Sequence, residues 1–214
     1  MGKAGLVTIA WAVWMVAASP VWAATTVYPV KDGTLVDGGT YGPFDGVADG
    51  ADWTFNQSSY EGSITLTTET PETSLEHRLV WEYNLSSVTI GPWVSATLTF
   101  TLRGAPIWPF PDVDVHIYSY PADLVESLGD FAAAPATLQG QVAVAPFQSP
   151  TVYVLDVSVV VSTALRTGSD KVAFRFQVDP DTSNPTNQAF MDALDTTPAT
   201  KPYLTINTAV LPCD

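Results

Sequence analysis

Basic residues are scarce in this chain of 214: 8 Lys and Arg stand against 22 Asp and Glu, giving a formal charge of −14. So few cations cannot neutralise a phosphate backbone, which excludes nucleic acid as a partner. There is one cysteine, Cys213, so the chain holds neither a disulfide framework nor a zinc site built on several thiolates. Two histidines, His77 and His116, leave little imidazole for general-base or metal chemistry. Also missing are a Gly-x-Ser-x-Gly elbow, a His-Glu-x-x-His pair and a phosphate-cradling glycine loop. Disorder is excluded as well: 46% of residues are hydrophobic and only 14% charged, enough for a sizeable core.

Long apolar runs occur only at the start. Lys3 precedes the apolar stretch Ala4–Ala18, Ser19-Pro20 breaks it, and Val21-Trp22-Ala23 offers a cleavage exit. Residues 1–23 therefore read as a secretory signal peptide. A signal anchor is the competing reading, but the run is short of the ~20 residues of a membrane span. The expectation is an exported protein, extracellular, cell-surface or periplasmic, with no transmembrane segment after cleavage. Loss of Lys3 would take the formal charge from −14 to −15. Residues 24–214 are expected to form one domain with its core at about 27–207.

That mature region is rich in Thr, Val and Ile, which suit pleated sheets. In Ser95–Leu102 one face carries Ala96, Leu98, Phe100 and Leu102, and the other only Ser and Thr. This period of two marks a half-buried strand. Residues 112–120 alternate in the same way, and 79–83, 151–155, 171–178 and 202–206 supply further strands, with shorter ones at 52–56 and 63–67. Turn chemistry divides them at Asp32-Gly33, Asp37-Gly38-Gly39, Asp45-Gly46, Asp49-Gly50, Gly91-Pro92 and Asp179-Pro180. Short helices are expected at 121–128 and 158–166. Many strands without βαβ alternation predict an all-β fold, an antiparallel β-sandwich of jelly-roll type with one or two short helices.

Three segments carry a resemblance: Arg78-Leu79-Val80-Trp81-Glu82-Tyr83-Asn84-Leu85-Ser86 continuing to Val94-Ser95-Ala96-Thr97-Leu98, then Val154-Leu155-Asp156-Val157-Ser158, and the closing Lys201-Pro202-Tyr203-Leu204-Thr205-Ile206. Together they resemble secreted bacterial jelly-roll domains of the DNRLRE type, which are related to carbohydrate-binding modules. The literal Asp-Asn-Arg-Leu-Arg-Glu hexapeptide is absent. The resemblance implies a non-enzymatic module whose partner is a polysaccharide or a cell-surface or matrix protein. The alternatives are a protein–protein interaction or structural extracellular protein, and a polysaccharide-active enzyme.

Sugar rings stack on flat aromatic faces, so exposed aromatics are the candidates for binding. Trp53 alternates with Phe55, and Trp81 with Leu79 and Tyr83, as core residues do. Trp93 follows a Gly-Pro turn, while Trp108 and Phe110 lie in a loop stiffened by Pro106, Pro109 and Pro111. Tyr118 and Tyr120 extend from the next strand. The ligand candidates are thus Trp93, Trp108, Phe110, Tyr118 and Tyr120, against the reading that the proline-rich loop caps the core. Glu76 and Glu82 share a strand face and read as solvated acids, as do Asp112 and Asp114. No cofactor is required. A structural calcium would suit the hard-oxygen clusters Asp45, Asp49, Asp52 and Asp179, Asp181, Asn184, although Asp-Gly and Asp-Pro pairs also simply make turns.

Overall fold

The computed structural model describes residues 21–38, 45–48, 50–54, 62–67, 74–104, 113–125, 127–145, 147–178, 186–191 and 202–210, with the backbone alone at 21, 32, 50–54, 62–67, 186–191 and 210. Its strands are β1 (Val21–Val27), β2 (Lys31–Gly38), β3 (Gly50–Thr54), β4 (Gly62–Thr67), β5 (Leu75–Asn84), β6 (Trp93–Gly104), β7 (Val113–Tyr120), β8 (Thr137–Val144), β9 (Thr151–Asp156), β10 (Lys171–Val178), β11 (Thr186–Met191) and β12 (Tyr203–Val210). One helix, α1 (Ser158–Arg166), and one 3-10 turn, Leu128–Phe131, complete them. Every strand pairing among them is antiparallel. The architecture is the expected all-β sandwich.

The first sheet is built on β3, β2, β5, β10, β7 and β8, and the second on β1, β12, β6 and β9. Strands β4 and β11 join them along one side. On one edge of β5, β10 covers residues 79–84 and β4 takes over at 75–77. On one edge of β6, β12 covers residues 93–99 and β11 takes over at 102–104. Because β4 and β11 pair with each other, hydrogen bonding turns the corner from one layer to the next.

The core lies between the sheets, filled by the inward face that alternation selects. Leu79, Trp81 and Tyr83 of β5 and Phe174 and Phe176 of β10 meet Leu98, Phe100 and Leu102 of β6 and Leu204 and Ile206 of β12. The Phe176 ring lies 5.3 Å from that of Trp81 and 5.1 Å from that of Phe100, so aromatic contacts bridge the layers. Helix α1 closes one end, burying Val161 and Leu165, which lie four residues apart on one face. The Asp156 carboxylate accepts the Ser158 amide at the start of α1, and the Ser158 hydroxyl, then this amide, hold its carboxyl below the usual carboxylate range. The Ser158 hydroxyl in turn accepts the Ala96 amide of β6 and fixes α1 against the second sheet.

Several sequence expectations need correction. Asp32-Gly33 is not a turn but lies inside β2, paired with Trp81 and Val80 of β5. Among the described residues of 121–128 the expected helix is absent, and the helical turn found beside it is Leu128–Phe131. Strands β1, β2, β8 and β11 were not anticipated. In β8, Gln139 is the extra residue of a bulge, because Ile117 pairs with Gly140 and Tyr118 with Leu138, and a Cβ on Gly140 would press on the Leu155 side chain of β9. Among the described residues, no helix is long and apolar enough to cross a membrane.

Candidate functional site

Two surfaces hold the chemistry, one on the outer face of each sheet. On the second sheet, Trp93 begins β6 and is 67% exposed. Its partner in β12 is Ala209, whose partner in β1 is Trp22, so both indoles share one face across three strands. That spacing amounts to about 10 Å. The same face continues through Ser95 and Asn207, then Thr97 and Thr205, to Tyr203, whose ring stands 6.1 Å from that of Tyr28. Polar side chains there project because alternate residues, Ala96, Leu98, Leu204 and Ile206, point into the core.

The outer face of the first sheet is not solvated. Segment 121–135 folds back across it, packing Phe131 with Leu35, Val80, Tyr120 and Ala173 and with Ala122 and Ala133. Charged side chains lie beneath. Arg78 pairs with Glu76 in a fork (2.6 and 2.9 Å), donates to the Phe131 carbonyl and places its guanidinium 3.8 Å above the Phe131 ring. Arg175 donates to the carbonyls of Asp130 (3.1 Å) and Ala133 (3.4 Å) and to the Gln177 side chain. Burial, and then the charge of Arg78, lowers the Arg175 guanidinium from its ordinary value. Glu76 and Glu82, read from the sequence as solvated acids, are therefore both buried.

Glu82 is 1% exposed, and neither of its carboxylate oxygens receives a well-formed hydrogen bond, although the Leu124 and Asp123 amides lie close by. Lys31 is its cross-strand neighbour in β2 but is exposed and forms no ion pair with it. One oxygen each from Glu82, Asp123 and Asp130 lies within 4.8 Å of the others, so these three converge as the one group among the described residues that could hold a metal ion. Burial, and then the charges of Asp130 and Asp123, push the Glu82 carboxyl up to about 7, while the nearby Leu124 and Asp123 amides pull the other way. Burial also raises the Asp130 carboxyl, against the Ser127 amide that lowers it, and raises the Tyr120 hydroxyl above its ordinary value.

These shifts set a sign for stability. Folded protein holds the Glu82 proton more tightly than the unfolded chain, so the stabilisation is complete below about 4.5 and is lost as pH rises through about 7. In buffer free of divalent cations, denaturant unfolding at about pH 8 should give a stability lower than at about pH 5 by roughly 1–3 kcal/mol. Glu82→Gln should flatten that profile. An unchanged slope in this variant would remove Glu82 as its source.

The sequence candidates fall in different places. Trp93 is exposed as a ligand surface requires, whereas Tyr120, 4% exposed, is locked under Phe131 and is not a surface residue. Tyr118 is half-buried beside Arg175 and His116. Trp108 and Phe110 lie outside the described residues. Asp45 is exposed, but one carboxylate oxygen accepts the Val47 amide, and the buried Asp37 accepts the Asp45 and Gly46 amides. Asp45 thus serves the turn. Asp52 lies in β3, where only the backbone is described, and Asp49, Asp179, Asp181 and Asn184 lie outside the described residues. Sequence reasoning missed Asp123 and Asp130 and set Glu82 aside.

A separate groove of about 370 Å³ runs between α1 and the ends of β7 and β10, lined by Ser119, Thr137, Val160, Thr163 and Lys171. No protein-family model matches the chain, and no curated protein matches it in sequence.

Proposed function

We propose that the protein is an exported, non-enzymatic β-sandwich module that binds carbohydrate through the outer face of its second sheet. The observation that carries this reading is Trp93, an indole two-thirds exposed on a flat face. Around it Ser95, Thr97, Thr205 and Asn207 offer hydroxyl and amide groups at strand spacing. A stacked ring needs that combination of an apolar plane and adjacent hydrogen-bonding groups. Export rests on the signal-like residues 1–23. Cleavage after Ala23 would take Val21–Ala23 from β1, leaving Ala24–Val27 paired with β12 and Trp93 without Trp22 beside it.

Catalysis is not part of this reading. A glycosidase needs two carboxyl groups about 5–9 Å apart with the sugar between them. Glu82 and Asp130 are both buried where the Leu128–Phe131 turn packs on the first sheet, which leaves no room for a sugar ring between them. A second reading, docking of another protein or assembly as a matrix component, is favoured by β9. That strand pairs only with β6 among the described strands and exposes Val152 and Val154 on the same outer face.

A glycan array on protein lacking residues 1–23 tests the first reading. Trp93→Ala should weaken any bound glycan at least about fivefold with unfolding midpoints unchanged, since alanine substitution of a stacking aromatic removes on the order of 1–3 kcal/mol. Glycan binding that survives this change intact would overturn the platform. Self-association abolished by Val154→Lys would favour the second reading.

A further inference from the structure

We propose that Glu82, Asp123 and Asp130 form a calcium site that pins the 121–131 segment onto the first sheet. Two independent observations meet here. The three carboxylates converge within 4.8 Å although they come from β5, the segment after β7 and the 3-10 turn. And the Glu82 side chain, 1% exposed and without a well-formed hydrogen bond on either oxygen, faces that cluster with only the Leu124 and Asp123 amides close by. A buried carboxylate without well-formed hydrogen bonds, beside two further acids, is costly unless something positive meets it.

Neighbouring cations do not meet it. Arg175 directs its Nη1 at the Asp130 and Ala133 carbonyls, and the Lys171 ammonium lies 3.3 Å from the Asp123 carbonyl. Each aspartate commits only one oxygen to the backbone, Asp123 to the Val125 amide and Asp130 to the Ser127 amide, and leaves its second. A divalent ion reduces the cluster from three negative charges to one, which faces the Arg175 guanidinium. The Tyr120 hydroxyl, buried and without a hydrogen-bond partner, stands near enough to Asp130 and Glu82 to feel their charge and adds a neutral oxygen.

Calcium is the ion these donors select. All are oxygens, with no imidazole or thiolate for zinc, and irregular backbone at Asp123-Leu124-Val125, with Leu124 at φ 65°, suits a cation that accepts six to eight ligands in uneven geometry. Asp123 is exposed, which gives the ion a path in and leaves places for water. The site lies on the opposite sheet from Trp93, so its failure and that of the carbohydrate reading would be separate results.

The test uses chelator-stripped protein. Calcium at about a hundredfold above its Kd should raise the thermal midpoint by roughly 5–10 °C, and chelator should reverse the rise. Terbium, a luminescent calcium surrogate, should be sensitised through Tyr120. Glu82→Gln should abolish both responses, and Asp123→Asn should weaken calcium at least tenfold. Should Glu82→Gln not fold, Asp123→Asn carries the test alone, because its side chain is exposed; unchanged affinity in that variant would overturn the site. So would a wild-type protein that responds to neither ion at millimolar concentration, or one stabilised by magnesium or zinc and not by calcium. A response that survives both substitutions but is lost in Asp45→Asn would place calcium elsewhere and overturn it too.

Discussion

Phe176→Ala should lower the stability of the fold by about 3–5 kcal/mol, the largest effect expected of any single change here. Phe176 is fully buried in β10, against Trp81 of β5 and Phe100 of β6, so its ring is shared by both layers. Alanine would remove the transfer free energy of the ring and leave a cavity. The rigid strands around it cannot collapse to fill that cavity. Denaturant unfolding followed by tryptophan fluorescence would measure the loss, and the thermal midpoint should fall by roughly 6–20 °C. Phe176→Leu keeps most of the volume and should cost about half as much or less. A loss below about 1 kcal/mol for the alanine variant would mean that the layers are not held together at this point.

The second large effect belongs to a charge. Arg78→Ala should cost about 2–4 kcal/mol, because it leaves the Glu76 carboxylate largely buried without its partner and removes the donor to the Phe131 carbonyl. The loss should be local in character. Hydrogen exchange in residues 121–135 should quicken more than in β5 or β10, since Arg78 is what ties Phe131 to the sheet. Changing both members to apolar residues, Arg78→Met with Glu76→Leu, should recover much of the stability. The cost of the single change is the stranded acid, more than the value of the pair. A double variant no better than Arg78→Ala would contradict that account.

Much of the fold could be read from alternation, and the reason is physical. Ser95–Leu102 and Val113–Tyr120 belong to strands with one face in the core, so the pleat writes itself into the residue types. Helix α1 matched its expected span of 158–166 despite three consecutive valines, because Val161 and Leu165 find tertiary partners that outweigh propensity. Strand β2 was hidden by two Asp-Gly pairs that spell turns. Asp37 is tolerated at its end because the buried carboxylate accepts the amides of the next turn. Strand β1 begins inside a segment whose composition spells an export signal, with Val21–Ala23 in it and Ala24–Val27 beyond it.

The outer face of the first sheet was the main blind spot. Alternation assigned Glu76 and Glu82 correctly to the side away from the core. It could not tell that a third layer of chain returns to cover them. A signal was nonetheless present: Glu76, Arg78 and Glu82 share their face with Val80, and the covering segment carries Ala122, Phe131 and Ala133 among polar residues. An apolar stripe between charges on one strand face, together with an apolar loop after the neighbouring strand, is what a capped face looks like in sequence. The outward placement of Trp93 came from its register with Ala209, a pairing across more than a hundred residues that no local window contains.

Strand β12 follows every other described element, yet it lies between β1 and β6. The order of folding follows from this. Neither neighbour can find β12 by closing a short loop, so the second layer is assembled late and slowly. Until Tyr203–Val210 has been synthesised, the β6 edge at residues 93–99 has no partner in its own chain. A molecule halted before that point presents an open strand ready to pair with a second copy.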